Sequence, residues 1–86
     1  MAEQSTYERV VGILVDVLMI SDVSAVHADA HIMRDLGAES INFAEITVAV
    51  EDEFGIAVRG ADLQAAATVG SLAAYVDACR ATSPAE

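Results

Sequence analysis

The sequence predicts an all-α fold, a small four-helix bundle with a long loop between the first and second helices and a short third helix. Two observations predict this class. Apolar residues recur at helical spacing in three long segments, and no alternating run of apolar and polar residues is long enough to make a strand. Since 86 residues can enclose one small core, we expect a single domain, 1–86, with an ordered core at about 6–80 and frayed termini.

The first helix is expected from about Thr6 to Met19, with Ser5 or Thr6 as its N-cap. Its apolar stripe comprises Val10, Ile13, Leu14, Val17 and Leu18. The connection that follows, Ile20 to Glu39, is long for a compact domain, and connections of this length are usually functional. Its expected apolar anchors are Val23, Val26, Ile32 and Leu36.

The second helix is expected from about Ser40 to Phe54, and Gly55 ends it. One short helical turn is expected at about Asp62 to Ala66. Thr68 is a good N-cap for the last helix, which should run from Val69 to about Arg80. The apolar stripe of that helix comprises Val69, Leu72, Ala73, Val76 and Cys79.

Charge excludes one class of partner. Fourteen carboxylates face four arginines and no lysine, which gives a formal net charge of −10. Nucleic acid is not an expected partner, because binding to its phosphates needs clustered cations. No stretch approaches the roughly 18 apolar residues of a membrane span, and no signal peptide is evident. The single cysteine, Cys79, allows no internal disulfide, which fits a reducing compartment, and we expect a cytoplasmic monomer.

The predicted second helix has two apolar faces. The face expected to join the core holds Phe43, Ile46, Val50 and Phe54. The opposite face holds Ile41, Ala44 and Val48, flanked by Glu45, Glu51 and Asp52. A small apolar centre with a charged rim suits weak, transient docking of another protein. The alternative is that the three apolar residues are ordinary scattered surface residues.

A serine, Ser40, stands at the start of this helix. It is not predicted to be a hydrolytic nucleophile, because nothing places His27 or His31 beside it and the Gly-x-Ser-x-Gly turn is absent. As an attachment point it is well placed, since a phosphodiester on its oxygen would meet free backbone N–H groups and the positive end of the helix dipole. The alternative that Ser40 is only an N-cap stays open.

No metal site is predicted. A calcium loop starting at Asp35 would need glycine at its sixth place and glutamate at its twelfth, where the chain has Ser40 and Ile46. His27 and His31 have the spacing that places two imidazoles on one helical face, but no third or fourth ligand is evident nearby.

The run Asp35-Leu36-Gly37-Ala38-Glu39-Ser40-Ile41 resembles the phosphopantetheine-attachment motif of acyl carrier proteins, Asp-x-Gly-x-Asp-Ser-Leu. Two further stretches resemble the same family. Glu51 to Val58 is an acidic helix end followed by Phe-x-Ile-x-Val, and Thr68 to Leu72 is similar to the start of the family's last helix. The resemblance spans about Tyr7 to Ala78 and implies a helical bundle of acyl-carrier type.

The resemblance implies that Ser40 carries 4′-phosphopantetheine, attached covalently from coenzyme A by a phosphopantetheinyl transferase with Mg²⁺. It implies a non-catalytic chain that holds an acyl intermediate as a thioester. The implied partners are acyl-loading, condensing or tailoring enzymes with basic docking surfaces. The implied partner-binding residues are Asp35, Glu39, Ile41, Ala44, Glu45, Val48, Glu51 and Asp52.

Departures from the family pattern bear on the pathway. Glu39 and Ile41 replace the Asp and Leu of the motif, and Arg59 stands where housekeeping fatty-acid carriers usually have proline. These departures favour a specialised, polyketide-like pathway. The alternatives are a fatty-acid carrier, an aminoacyl or peptidyl carrier, and a carrier-like interaction module that is not modified.

Overall fold

The computed structural model describes residues 5–82, except for the side chains of residues 81 and 82. Over this range the chain forms four α-helices and no β-strand, so the predicted all-α bundle is confirmed. The helices are α1 (Thr6–Leu18), α2 (Ser40–Phe54), α3 (Gly60–Ala65) and α4 (Val69–Thr82). The predicted bounds of α2 are those observed, whereas α4 continues two residues past the predicted Arg80. The predicted fraying around Pro84 lies outside the described residues.

Ser5, the first of the two predicted candidates, caps α1. Its hydroxyl accepts a hydrogen bond from the Glu8 N–H at 3.1 Å, and the Glu8 carboxylate accepts one from the Ser5 N–H at 3.0 Å. Thr6 is buried and donates its hydroxyl to Asp77 of α4 at 2.6 Å. Ser5 therefore caps the N-terminus of α1, and Thr6 joins α1 to α4.

The long connection after α1 is held against the start of α4. It contains one 3₁₀ turn, Val23–Ala25. Three hydrogen bonds join backbone groups of 28–32 to those of 67–70. The Ile32 N–H donates to the Ala67 carbonyl at 2.8 Å, the Val69 N–H to Ala30 at 3.0 Å and the Gly70 N–H to Ala28 at 2.9 Å. The connection thus caps the free N–H groups of the first turn of α4.

Three of the four predicted anchors of this connection reach the core. Val26 and Ile32 are buried, and Leu36 packs against the core half-buried. The prediction for Val23 is wrong, because 53 % of its surface is exposed. Apolar character alone did not distinguish it, since a 3₁₀ turn has no long face that must point inward.

The core lies among α1, α2 and α4, and α3 closes one side of α2. Its largest fully buried side chains are Val10, Leu14, Ile32, Ile46, Val50, Leu63, Val69, Leu72 and Val76. Phe54, predicted on the core face of α2, is only half-buried, and two cations lie over its ring. The guanidinium groups of Arg9 and Arg80 lie 4.5 Å and 5.2 Å from the ring centroid. Arg9 also pairs with the Glu53 carboxylate at 2.8 Å, which joins the end of α2 to α1.

Candidate functional site

Ser40 is exposed as the first residue of α2, directly after a tight turn. The turn closes because the N–H groups of Asp35 and Leu36 donate to the His31 carbonyl at 2.7 Å and 3.1 Å. The Asp35 carboxylate accepts the His31 N–H at 2.8 Å and closes the ring from the other side. Gly37 has φ 78°, a left-handed conformation that side chains disfavour, and it redirects the chain into α2. The Asp-x-Gly part of the motif therefore builds the turn that presents Ser40.

Glu39, and not Ser40, is the N-cap of α2. The Asn42 side-chain oxygen accepts the Glu39 N–H at 2.8 Å, and the Asn42 N–H donates to the Glu39 carbonyl at 2.9 Å. Within residues 5–82, the Ser40 hydroxyl makes no hydrogen bond. The interpretation of Ser40 as a plain N-cap is therefore wrong, and its oxygen is free to react.

The surroundings of Ser40 fit a phosphodiester. No described group accepts a hydrogen bond from the backbone N–H of Ser40 or Ile41, so both N–H groups are available to an anion. The positive end of the α2 dipole adds to this attraction. The hydroxyl is open to solvent, so an enzyme can reach it. Exposure, donors and helix polarity all suit a phosphate carried on the serine oxygen.

No base is hydrogen-bonded to Ser40 in the described part of the chain. His31 uses its Nδ1 to accept the Arg34 N–H at 3.3 Å, and His27 lies exposed in the connection. The two histidines lie in a loop instead of on one helical face. Among the described residues, no group of three or more His, Cys, Asp or Glu side chains is arranged to hold a metal ion.

The outward face of α2 has an exposed apolar centre. Ile41 is 70 % exposed and Val48 is 58 % exposed, and Ala44 is exposed between them. A shallow depression of about 530 Å³ lies along this face. It is lined by Ala44, Glu45, Val48, Ala49 and Asp52. We call these residues, together with Ile41, the α2 surface.

The acidic residues around the α2 surface differ in how far their carboxylates are engaged. Glu39 and Asp52 are exposed, and no described group hydrogen-bonds the carboxylate of Asp52. Glu45 is exposed and accepts one long hydrogen bond, 3.3 Å, from the Asn42 amide. Glu51 is half-buried and accepts the Val58 N–H at 2.9 Å, which holds the chain after α2. Sequence reasoning missed this bond, since it joins residues seven positions apart across the end of a helix.

Asp35 was predicted only as a partner-binding residue, but it also has a structural role. One of its oxygens closes the turn before Ser40, although the residue stays exposed. Asn42 was missed altogether as a site residue. The signal that could have found it is its place three residues after Glu39, the spacing at which a side chain reaches back to the N-cap.

Comparisons with known proteins agree with this geometry. The family model described as "Phosphopantetheine attachment site" matches residues 8–76. The chain is also similar to an acyl carrier protein of Thermotoga maritima, with 32 % identity over 76 residues. That alignment covers 88 % of this chain and 93 % of the relative. In the part of the chain that the structure covers, no helix is long and apolar enough to cross a membrane.

Proposed function

Because this chain belongs to the acyl carrier protein family, whose members bear a covalent 4′-phosphopantetheine group, we propose that Ser40 is the residue that carries that group. The observation that supports this assignment is the uncommitted, exposed hydroxyl of Ser40 at the first position of α2. Glu39 and Asn42 cap the helix in its place. The serine oxygen is thus available without any loss of helix capping.

The proposed attachment requires an enzyme with its own base. Ser40 supplies the oxygen that attacks the pyrophosphate of coenzyme A, whose P–O bond breaks so that adenosine 3′,5′-bisphosphate leaves as the phosphodiester forms. No described side chain is placed to take the serine proton. A phosphopantetheinyl transferase, using coenzyme A and Mg²⁺, would supply that base. The free N–H groups of Ser40 and Ile41 would then stabilise the phosphate. When bound, the thiol of the arm holds the acyl group as a thioester, so the chain is a carrier and the enzymes it meets do the chemistry.

The α2 surface is the proposed docking site for those enzymes. Its apolar centre can be buried on contact, and the exposed carboxylates of Glu39, Glu45 and Asp52 would face basic side chains. Charge pairs at the rim of an interface accelerate encounter more than they tighten the complex. That balance suits a carrier, which must leave each enzyme as readily as it arrives. Asp35 and Glu51 contribute less to docking in this proposal, because each already accepts a backbone hydrogen bond.

We also propose a specialised, polyketide-like pathway. Support comes from Glu39 and Ile41 in the attachment motif and from Arg59 at the position of the usual proline. A cytoplasmic monomer is part of the proposal, since a net charge of −10 opposes association of two copies. The identity of the acyl group on protein purified from its native cells would test the pathway. A fatty acyl or aminoacyl thioester would replace this proposal with one of its alternatives.

Intact-mass spectrometry tests the attachment site. The protein is incubated with coenzyme A, Mg²⁺ and a promiscuous phosphopantetheinyl transferase. The wild type and a Ser21→Ala variant, which removes another exposed serine, should each gain one phosphopantetheinyl group. Ser40→Ala should gain none. An unmodified wild type would favour the interaction module that is never modified, and modification of Ser40→Ala would refute the assignment of Ser40.

A further inference from the structure

A second depression lies on α1 and shares no residue with the α2 surface. Its volume is about 410 Å³. The exposed side of α1 forms most of it, Val23 of the 3₁₀ turn borders it, and Glu53 at the end of α2 reaches its rim. We call it the α1 groove. Nothing in the attachment of a cofactor to Ser40 requires it.

Gly12 lines the α1 groove, and the fold does not require a glycine there. Its φ is not in the left-handed range, so an ordinary residue could adopt its backbone conformation. A Cβ added at this position would meet nothing within 4 Å, so no neighbour needs the space. Glycine in a helix interior nevertheless lowers stability. The missing side chain thus weakens α1 and opens a groove on its surface, which indicates a role for the open space itself.

Part of the wall of the α1 groove is apolar. Val11 and Val15 are half-buried, and Val23 is 53 % exposed beside them. These residues can cover the methylene groups of a long side chain from another protein.

The rim of the α1 groove is acidic. Asp16 is exposed, and its carboxylate makes no hydrogen bond or ion pair within the described part of the chain. Glu8 is exposed on the same helix. Arg9 is the one cation among the lining residues, but its guanidinium is 2.8 Å from both the carboxylate and the carbonyl oxygen of Glu53. The groove therefore keeps unpaired negative charge next to apolar walls.

We propose that the α1 groove is a second docking site, which receives an arginine side chain flanked by apolar residues on a partner protein. The methylene stem would lie over Gly12 between Val11 and Val15, and the guanidinium would pair with the carboxylate of Asp16. Arginine fits better than lysine, because its planar guanidinium can bind a carboxylate through two hydrogen bonds. The proposal does not depend on modification of Ser40.

A peptide titration followed by backbone amide NMR tests this proposal on the whole chain. The probe is acetyl-Ala-Leu-Arg-Leu-Ala-amide, and the matched neutral probe has glutamine in place of arginine. The arginine peptide should cause saturable shifts at Gly12, Val15, Asp16 and Val23. Its affinity should exceed that of the glutamine peptide by about two- to fivefold, as expected for an exposed ion pair.

Two variants locate the binding. Asp16→Asn should remove the preference for arginine, and Gly12→Leu should abolish binding by filling the groove while the amide spectrum shows an intact fold. Glu45→Gln, which changes the α2 surface, should leave the titration unaltered. Ser40→Ala should also leave it unaltered, so this result and the test of the attachment site can fail separately.

Three outcomes overturn the proposal. One is the absence of saturable shifts on α1. Another is equal affinity for the arginine and glutamine peptides. The last is a set of shifts confined to the α2 surface, which would show that the peptide binds wherever this acidic protein exposes apolar residues.

Discussion

Replacing Gly12 with alanine should stabilise the protein. The added methyl group meets nothing within 4 Å, and the backbone conformation suits alanine, so the change introduces no strain. The gain comes from the lower conformational entropy of the unfolded chain and amounts to about 1 kcal/mol in a helix interior. For a domain of this size that free energy raises Tm by roughly 4–8 °C.

Gly70→Ala is the matched control, because it makes the same chemical change at the start of α4. There the new Cβ would lie 3.1 Å from the Ala28 carbonyl oxygen and 3.4 Å from the Ala28 Cβ. The Gly70 N–H donates to that same oxygen, so moving it apart weakens a hydrogen bond. We expect the free energy of unfolding of Gly70→Ala to lie about 1 kcal/mol or more below that of Gly12→Ala, since overpacking costs roughly 1–3 kcal/mol.

Thermal unfolding followed by circular dichroism at 222 nm, together with urea titration at 25 °C, measures both changes. Equal m-values would show that the two variants unfold from equally compact states. If Gly12→Ala lowers stability, a neighbouring side chain of the protein must occupy, in solution, the space beside Gly12 that the structure shows as open. That result would also remove the argument that Gly12 opens the α1 groove at the expense of helix stability.

The remaining predictions concern α2 and the turn before it. Glu45→Lys should slow acyl transfer by a partner enzyme without changing Tm. Glu51→Lys should slow it too and should also lower stability by about 1 kcal/mol, because the Val58 N–H loses its acceptor. Unfolding and transfer assays on both variants separate the effects, and an equal loss of stability in the two would contradict the structural role of Glu51. Phe43→Ala should lower the free energy of unfolding, measured by urea titration, by about 3 kcal/mol or more through the cavity it leaves. A loss under 1 kcal/mol would mean that the core collapses around the site. Gly37→Ala should lower stability by about 1 kcal/mol, because alanine is strained at φ 78°. It should also slow phosphopantetheinylation at equal folded fraction. An unchanged rate of phosphopantetheinylation would show that the turn does not present Ser40.

The helices could be predicted from the sequence because their signals are local. The apolar spacing and the glycine at residue 55, with φ 66°, set the bounds of α2 without reference to the rest of the chain. The motif around Ser40 was recognisable for the same reason, since its turn is closed by hydrogen bonds among residues 31–37.

The roles of individual side chains around α2 were less predictable, because they depend on neighbours distant in sequence or on a choice between equivalent caps. The side-chain oxygens of both Ser40 and Glu39 can accept a hydrogen bond at a helix N-terminus. In the structure Glu39 is the N-cap, and its N–H donates to the Asn42 side-chain oxygen. Phe54 is apolar, as a core residue is, yet the guanidinium groups of Arg9 and Arg80, from two other helices, lie over its ring. No local pattern contains that contact.

The sequence by itself determined the helical class, the bounds of α2, the serine at its start and the excess of negative charge. Each of these follows from residue type or from spacing within one segment. Only the tertiary structure decided which carboxylates are free, because Glu51 and Glu53 are engaged by groups that folding brings to them. It also decided that the outward side of α1 forms a groove, since Val23 and Glu53 reach that helix from other parts of the chain.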